Sequence, residues 1–155
     1  MRHEEIPEQL RNLAFDFFFR FSRFEFALKE ARILKNDRVG ANAEAGWDGY
    51  IRAFRNQYVL SPAGKALVEA RPQRQIVGEH ELEFREVAFN PGASDLEKVV
   101  RLANTVRNNL FHGGKHGVAY WDDPERMQLL LATTITVLGD LAAQTGLAAD
   151  YERYY

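Results

Sequence analysis

Residues 105–117, TVRNNLFHGGKHG, decide how this chain is read. Leu96, Val99, Val100 and Ala103 upstream, with Val106 and Leu110 inside the stretch, recur at helical spacing, so a helix runs into it. Leu96, Val100, Ala103 and Leu110 define its seam, and the seam position between the last two is Arg107. An unpaired guanidinium facing hydrocarbon costs on the order of several kcal/mol. Arg107 must therefore be paired, line a cavity, or stand where another chain meets this one. The helix ends at His112, because Gly113 and Gly114 form the commonest kind of helix stop. Asn108 and Asn109 add polar side chains to its final turn, and Lys115 adds a charge just beyond. Arginine, histidine and lysine around an open glycine turn suit a phosphate ligand.

The helix containing Arg107 needs partners, and the flanking sequence supplies them. The spacing predicts a first helix from about Pro7 to Leu34. Leu10, Ala14, Phe17, Phe21, Phe24, Leu28 and Ala31 form one apolar face. A second stripe, Phe15, Phe19, Phe26 and Ile33, lies roughly 180° away. Two apolar faces call for neighbours on both sides: a second layer of the same chain, or another copy of it. After a polar loop at 36–46, Trp47, Ile51, Phe54 and Tyr58 mark a shorter helix. Ser61-Pro62 starts another helix, which ends before Pro72. In 73–93, Leu82 and Phe84 alternate with charged residues, which predicts at most a short hairpin. Ser94 or Asp95 caps the helix that leads to Arg107. The turn at Asp122, Asp123 and Pro124 opens a last long helix, apolar nearly all round and therefore central. The aromatic tail, ADYERYY, is placed to dock or fray. The expectation is one all-α domain over residues 1–155, a helical bundle with a central excursion at about 36–93.

Composition narrows the function. The chain has 155 residues, 46% of them hydrophobic, and a net charge of −2. A duplex-binding protein that works by bulk charge is usually basic, so any nucleic-acid role must rest on a local site. There are no cysteines, which excludes disulfides and thiolate metal sites and fits a reducing cytoplasm. No stretch is expected to span a bilayer, and the acidic N-terminus is unlike a signal peptide. His112 and His116 stand four apart, but Gly113 and Gly114 break the helix that zinc spacing would need, so neither metal nor cofactor is expected. The Gly-Gly-Lys is not a phosphate loop, since the glycine spacing and the following Ser or Thr are missing.

RNNLFH, residues 107–112, resembles the R-x4-6-H motif of the HEPN family (higher eukaryotes and prokaryotes nucleotide-binding domains). Arg107 matches the motif arginine, Asn108 the polar residue that often follows it, and His112 the motif histidine. The match falls at the end of the penultimate long helix, as in that family. The opening FSRFEFALKEA resembles the family's first helix, with Glu25 in a charged position. Some HEPN toxins carry a tyrosine two or three residues after the histidine, which a partner nucleotidyltransferase modifies. Gly114 and Lys115 stand there in this chain, and the nearest downstream tyrosine is Tyr120.

The resemblance implies a metal-independent endoribonuclease with a composite active site at a homodimer interface. Arg107 and His112 would be catalytic, and Asn108, Lys115 and Glu25 would bind substrate or support the site. It implies RNA and a second copy as partners, and a cytoplasmic toxin or defence setting with a cognate antitoxin or other defence-system protein. The residues fit this chemistry. Histidine can take a proton from a ribose 2′-OH or give one to a leaving oxygen, and arginine can stabilise charge at phosphorus. Two other readings stand beside it: a non-catalytic HEPN module binding nucleotide or RNA, and a helical protein-interaction dimer. On the purely structural reading Arg107 bonds helix carbonyls or a carboxylate, and His112 caps the helix end.

Overall fold

The computed structural model describes residues 6–112 and 123–153. Lys115, His116 and Tyr120 lie outside the described residues. The architecture is mostly helical, with one two-stranded sheet, in the order α1 (Glu8–Glu30), α2 (Trp47–Phe54), α3 (Pro62–Ala70), β1 (Gln73–Val77), β2 (Leu82–Glu86), α4 (Asp95–His112), α5 (Pro124–Gln144) and α6 (Ala148–Glu152).

In α1 the first expected face is the buried one: Leu10, Phe17, Phe21, Phe24, Ala27 and Leu28 enter the core. The helix stops four residues before the expected Leu34. Arg32 adopts a positive φ of 58°. Its N–H donates to Lys29 O, and Ile33 N–H donates to Leu28 O at 2.8 Å. This pair of bonds is a Schellman closure with arginine where glycine usually stands. It turns Ile33 back onto the core.

The region expected to leave the bundle mostly belongs to it, which corrects the reading of 36–93 as an excursion. The loop at 36–46 is held at its ends, where Leu34 and Ala45 form a β-bridge. Helix α2 then places Tyr50 and Ile51 in the core, and α3 adds Leu67. Tyr58 falls beyond the end of α2. Phe24 of α1 stacks on Trp47 at 5.3 Å and meets Tyr50 edge-on at 5.5 Å. Ser61 caps α3 by accepting from Gly64 N at 3.0 Å. Arg71, also at positive φ, ends α3 and turns the chain into β1.

Among the described residues the paired strands fall within 73–86. Strands β1 and β2 pair antiparallel, with Gln73 opposite Glu86 and Gln75 opposite Phe84. Helix α4 opens under Ser94, whose Oγ accepts from Glu97 N at 3.1 Å. Asp123 does the same for α5 by accepting from Arg126 N at 2.9 Å.

Helix α5 packs against α1, α3, α4 and α6 and is central, as its composition implies. Its burial is one-sided, however, and Leu129 is exposed. With 21 residues it is long and apolar enough to cross a membrane by length and composition. That corrects the expectation that no stretch qualifies. Met127, Leu130, Leu131, Leu138 and Leu141 are buried against the other helices. The tail docks through α6, where Tyr151 is buried.

Candidate functional site

Helix α4 carries the candidate residues on the flank that its apolar face leaves over. Val99, Val100, Leu102, Ala103 and Val106 are buried, whereas Asn108, Phe111 and His112 are exposed and Arg107 is half-buried. Arg101, Asn104, Asn108 and His112 follow one another at intervals of three and four, so they form a polar stripe along one side.

Among the described residues Arg107 has no ion pair, and other contacts receive its charge. Its guanidinium lies over the Phe111 ring at 5.1 Å and near the Phe21 ring at 6.0 Å. Nη1 donates to Asn108 Oδ1 at 3.1 Å. No carboxylate lies within 4.0 Å of Arg107 or His112 among the described residues. The partners of the purely structural reading, a helix carbonyl or a carboxylate for Arg107, are replaced by two aromatic faces and an amide.

Two grooves flank the stripe. The first, of about 530 Å³, lies between α4 and the hairpin. His112 and Asn108 open into it, with Arg101, Asn104 and, from β1, Arg74 and Gln75. The second, of about 450 Å³, lies between α4, α1 and the loop before α2. Arg107 and Glu25 line it, with Lys29, Lys35 and Glu44. Asn104 lines both grooves. One chain thus brings Asn108 together with His112, and Glu25 together with Arg107. It does not bring Arg107 and His112 into one groove. Five residues apart on a helix, they point about 140° from each other.

Glu25 does not reach Arg107 by an ion pair. Its Oε1 accepts from Trp47 Nε1 at 3.3 Å, which fixes the wall of the second groove. In the same wall Lys35 pairs with Glu44 at 2.8 Å, and that carboxylate holds the Lys35 ammonium above its ordinary pKa.

Beside Asn108, Asn109 and His112, the first groove contains residues that sequence reasoning did not single out, Arg74, Gln75, Arg101 and Asn104 among them. Asn109, buried, donates from Nδ2 to Gln73 O at 2.7 Å and so fastens the start of the hairpin to α4. Arg101 pairs with Asp48 of α2 at 2.6 Å. The spacing of Arg101, Asn104 and Asn108 was visible in the sequence as a polar stripe. No local signal ties Arg74 to it, because that contact depends on where the hairpin folds back. Among the described residues no three His, Asp or Glu side chains converge as a metal-binding group.

Comparison with protein-family models, with curated proteins and with solved structures finds no match for this chain.

Proposed function

We propose that the protein is a HEPN-type, metal-independent endoribonuclease that works as a homodimer, with Arg107 and His112 as its catalytic residues. The observation that carries this reading is the state of those two side chains. Both reach the surface of the last turns of α4, on either side of Asn108, and neither is paired with a carboxylate among the described residues. The setting, a cytoplasmic toxin or defence component with RNA as substrate and an antitoxin or other defence protein as partner, rests on the sequence resemblance.

The separation of Arg107 and His112 between two grooves fits a composite site, in which a second chain supplies what one groove lacks. Exposed aromatic side chains of α1 and α4 offer a surface for a second chain, and one of them, Phe111, lies under Arg107. Phe15, Phe18 and Phe19 of α1 and Phe111 of α4 are all exposed, and the Phe18 and Phe111 rings meet at 5.7 Å. In the proposed reaction one imidazole removes the ribose 2′-OH proton as that oxygen attacks phosphorus. The 5′-oxygen leaves and takes a proton from the second chain's imidazole, and the guanidinium stabilises the charge on phosphorus. The products are a 2′,3′-cyclic phosphate and a 5′-hydroxyl.

The test is cleavage of RNA by purified protein with and without EDTA, beside DNA of matched sequence. Cyclic phosphate ends on RNA, unchanged by EDTA, together with inert DNA, are expected. RNA left intact rejects the enzyme reading. A second reading, RNA or nucleotide binding without turnover, is favoured by the same separation of Arg107 from His112 within one chain. Retarded but uncut RNA would select it.

A further inference from the structure

The groove between the hairpin and α4 differs from the rest of the surface in charge. The chain as a whole is acidic, at −2. Yet, among the described residues, the groove is lined by Arg74, Arg101 and His112 together with amides and by no carboxylate, and of its two guanidiniums only that of Arg101 is paired, with Asp48 from outside the lining. The groove on the other side of α4 is mixed, with Glu25 and Glu44 among its cations. A cationic, amide-rich cleft of about 530 Å³ falls in the size range of small-ligand sites.

Arg74 is the informative residue. It is exposed on β1 and directly opposite Arg85 of β2. Like charges facing each other across a strand pair are destabilising. Arg85 has a carboxylate nearby, Glu83 at 3.4 Å, but Arg74 has none within 4.0 Å among the described residues. A guanidinium held over an open groove without its own counter-charge suits an external anion, and its planar fork suits phosphate. The hairpin that carries it is anchored to α4 by the Asn109–Gln73 bond, so the strand bearing Arg74 is tied to the helix bearing His112.

The amides complete the chemistry. Asn104 gives one donor to Val100 O at 2.9 Å, and its oxygen remains as an acceptor. Asn108 uses its oxygen to accept from Arg107 and keeps its amide hydrogens for a ligand. Donors and acceptors beside a cation match an unstacked nucleotide, whose base edge and 2′-OH are both read by hydrogen bonds.

We infer that the hairpin–α4 groove is a subsite for single-stranded RNA, in which Arg74 holds a backbone phosphate and Asn104 and Asn108 contact the nucleotide adjoining His112. This rests on the ribonuclease reading for the identity of the ligand, but its test does not require cleavage.

Binding of a labelled eight-nucleotide RNA is measured by anisotropy across a series of salt concentrations, in a His112→Ala background. Adding Arg74→Ala should weaken binding about five- to tenfold and lower the salt slope by about 0.7, the value for one phosphate on a single strand. Adding Arg74→Lys should recover part of both, and Arg55→Ala, whose side chain lines neither groove, should change neither. In the cleaving protein Arg74→Ala should raise KM and leave kcat nearly unchanged. Equal affinity and equal slope with and without Arg74 overturn the inference, as does absence of RNA binding in the parent. Arg74-dependent binding by a wild type that cuts nothing would leave the subsite standing and remove the ribonuclease reading. Cleavage with a KM indifferent to Arg74 would do the reverse.

Discussion

Arg107 lies across Phe111 and Phe21, and its only described hydrogen bond goes to a neighbouring amide. Such cation–aromatic contacts contribute about 0.5–1 kcal/mol each at exposed sites, enough to place a guanidinium but not to neutralise it. Its direction on the helix follows from spacing alone, since Arg107 continues the line of Leu96, Val100 and Ala103. Its half-burial does not. By Arg107 the helix has passed the densest part of the core, and Leu110 is only partly buried. How far a seam stays covered depends on the length of the elements packed against it, which a seam pattern does not contain. Tyr50 is the converse case, a polar tip carried wholly inside. Its hydroxyl bonds Thr145 Oγ1 at 3.4 Å, and burial pushes its pKa upward against that bond. Because the folded pKa is raised, the neutral phenol is favoured in the fold. Its stabilising share is intact below the ordinary tyrosine pKa of 10.0 and is lost as pH rises beyond it. Tyr58 and Tyr151 are shifted upward in the same way, chiefly by burial. Tyr50→Phe should therefore lower stability near neutrality by about 0.5–1.5 kcal/mol. It should also make the decline above pH 10 shallower. Urea unfolding across that range checks this, and parallel declines in the two proteins would contradict it.

Caps and turns were the most legible parts of the elements. Ser61-Pro62, Ser94 and Asp123-Pro124 each start a helix where the side-chain oxygen reaches a backbone N–H. The hairpin followed from the alternation at 82–85. The end of α1 was not legible. Its Schellman closure places Arg32 in a conformation that usually signals itself by glycine, and the apolar pattern runs on to Ile33 without a break. The docking of α6 was equally hidden, because it depends on Arg23 of α1. That side chain donates to the main-chain oxygens of Asp150, Tyr151 (3.2 Å) and Arg153 (3.1 Å). A cation on the last carbonyls of a helix satisfies orphan acceptors and matches its dipole. Arg23→Met keeps the stem and removes the donors. It should lower stability by about 1.5–3 kcal/mol, the range for bonds to a charged group, and speed amide exchange in Ala148–Glu152 before the rest of the chain. Unchanged exchange there would show that Tyr151 alone holds the tail.

At the scale of the whole molecule, the second stripe of α1 divides in two. Phe26 is partly covered, with the Arg23 guanidinium 4.7 Å from its ring, and Ile33 packs on the core. Phe15 and Phe19 stay open, at 70% and 48% exposure, with Phe18 and Phe111 beside them. A cluster of exposed large aromatics is the kind of patch that partners cover. The patch reaches the neighbourhood of Arg107 through Phe18, whose ring meets Phe111 under the guanidinium. Sedimentation equilibrium at micromolar concentration should give about twice the 17.8 kDa chain mass, and Phe15→Ser with Phe19→Ser should return it to monomer without unfolding. A wild-type monomer that still cleaves RNA would remove the two-chain site. The chemistry itself is tested most directly by initial rates of RNA cleavage in EDTA for wild type, Arg107→Ala and His112→Ala, each shown to be folded. Loss of one transition-state donor should slow the arginine variant by about 10²–10³-fold, and loss of proton transfer should slow the histidine variant by about 10²–10⁴-fold. Variants that cut as fast as wild type would contradict the account and return Arg107 and His112 to a structural role.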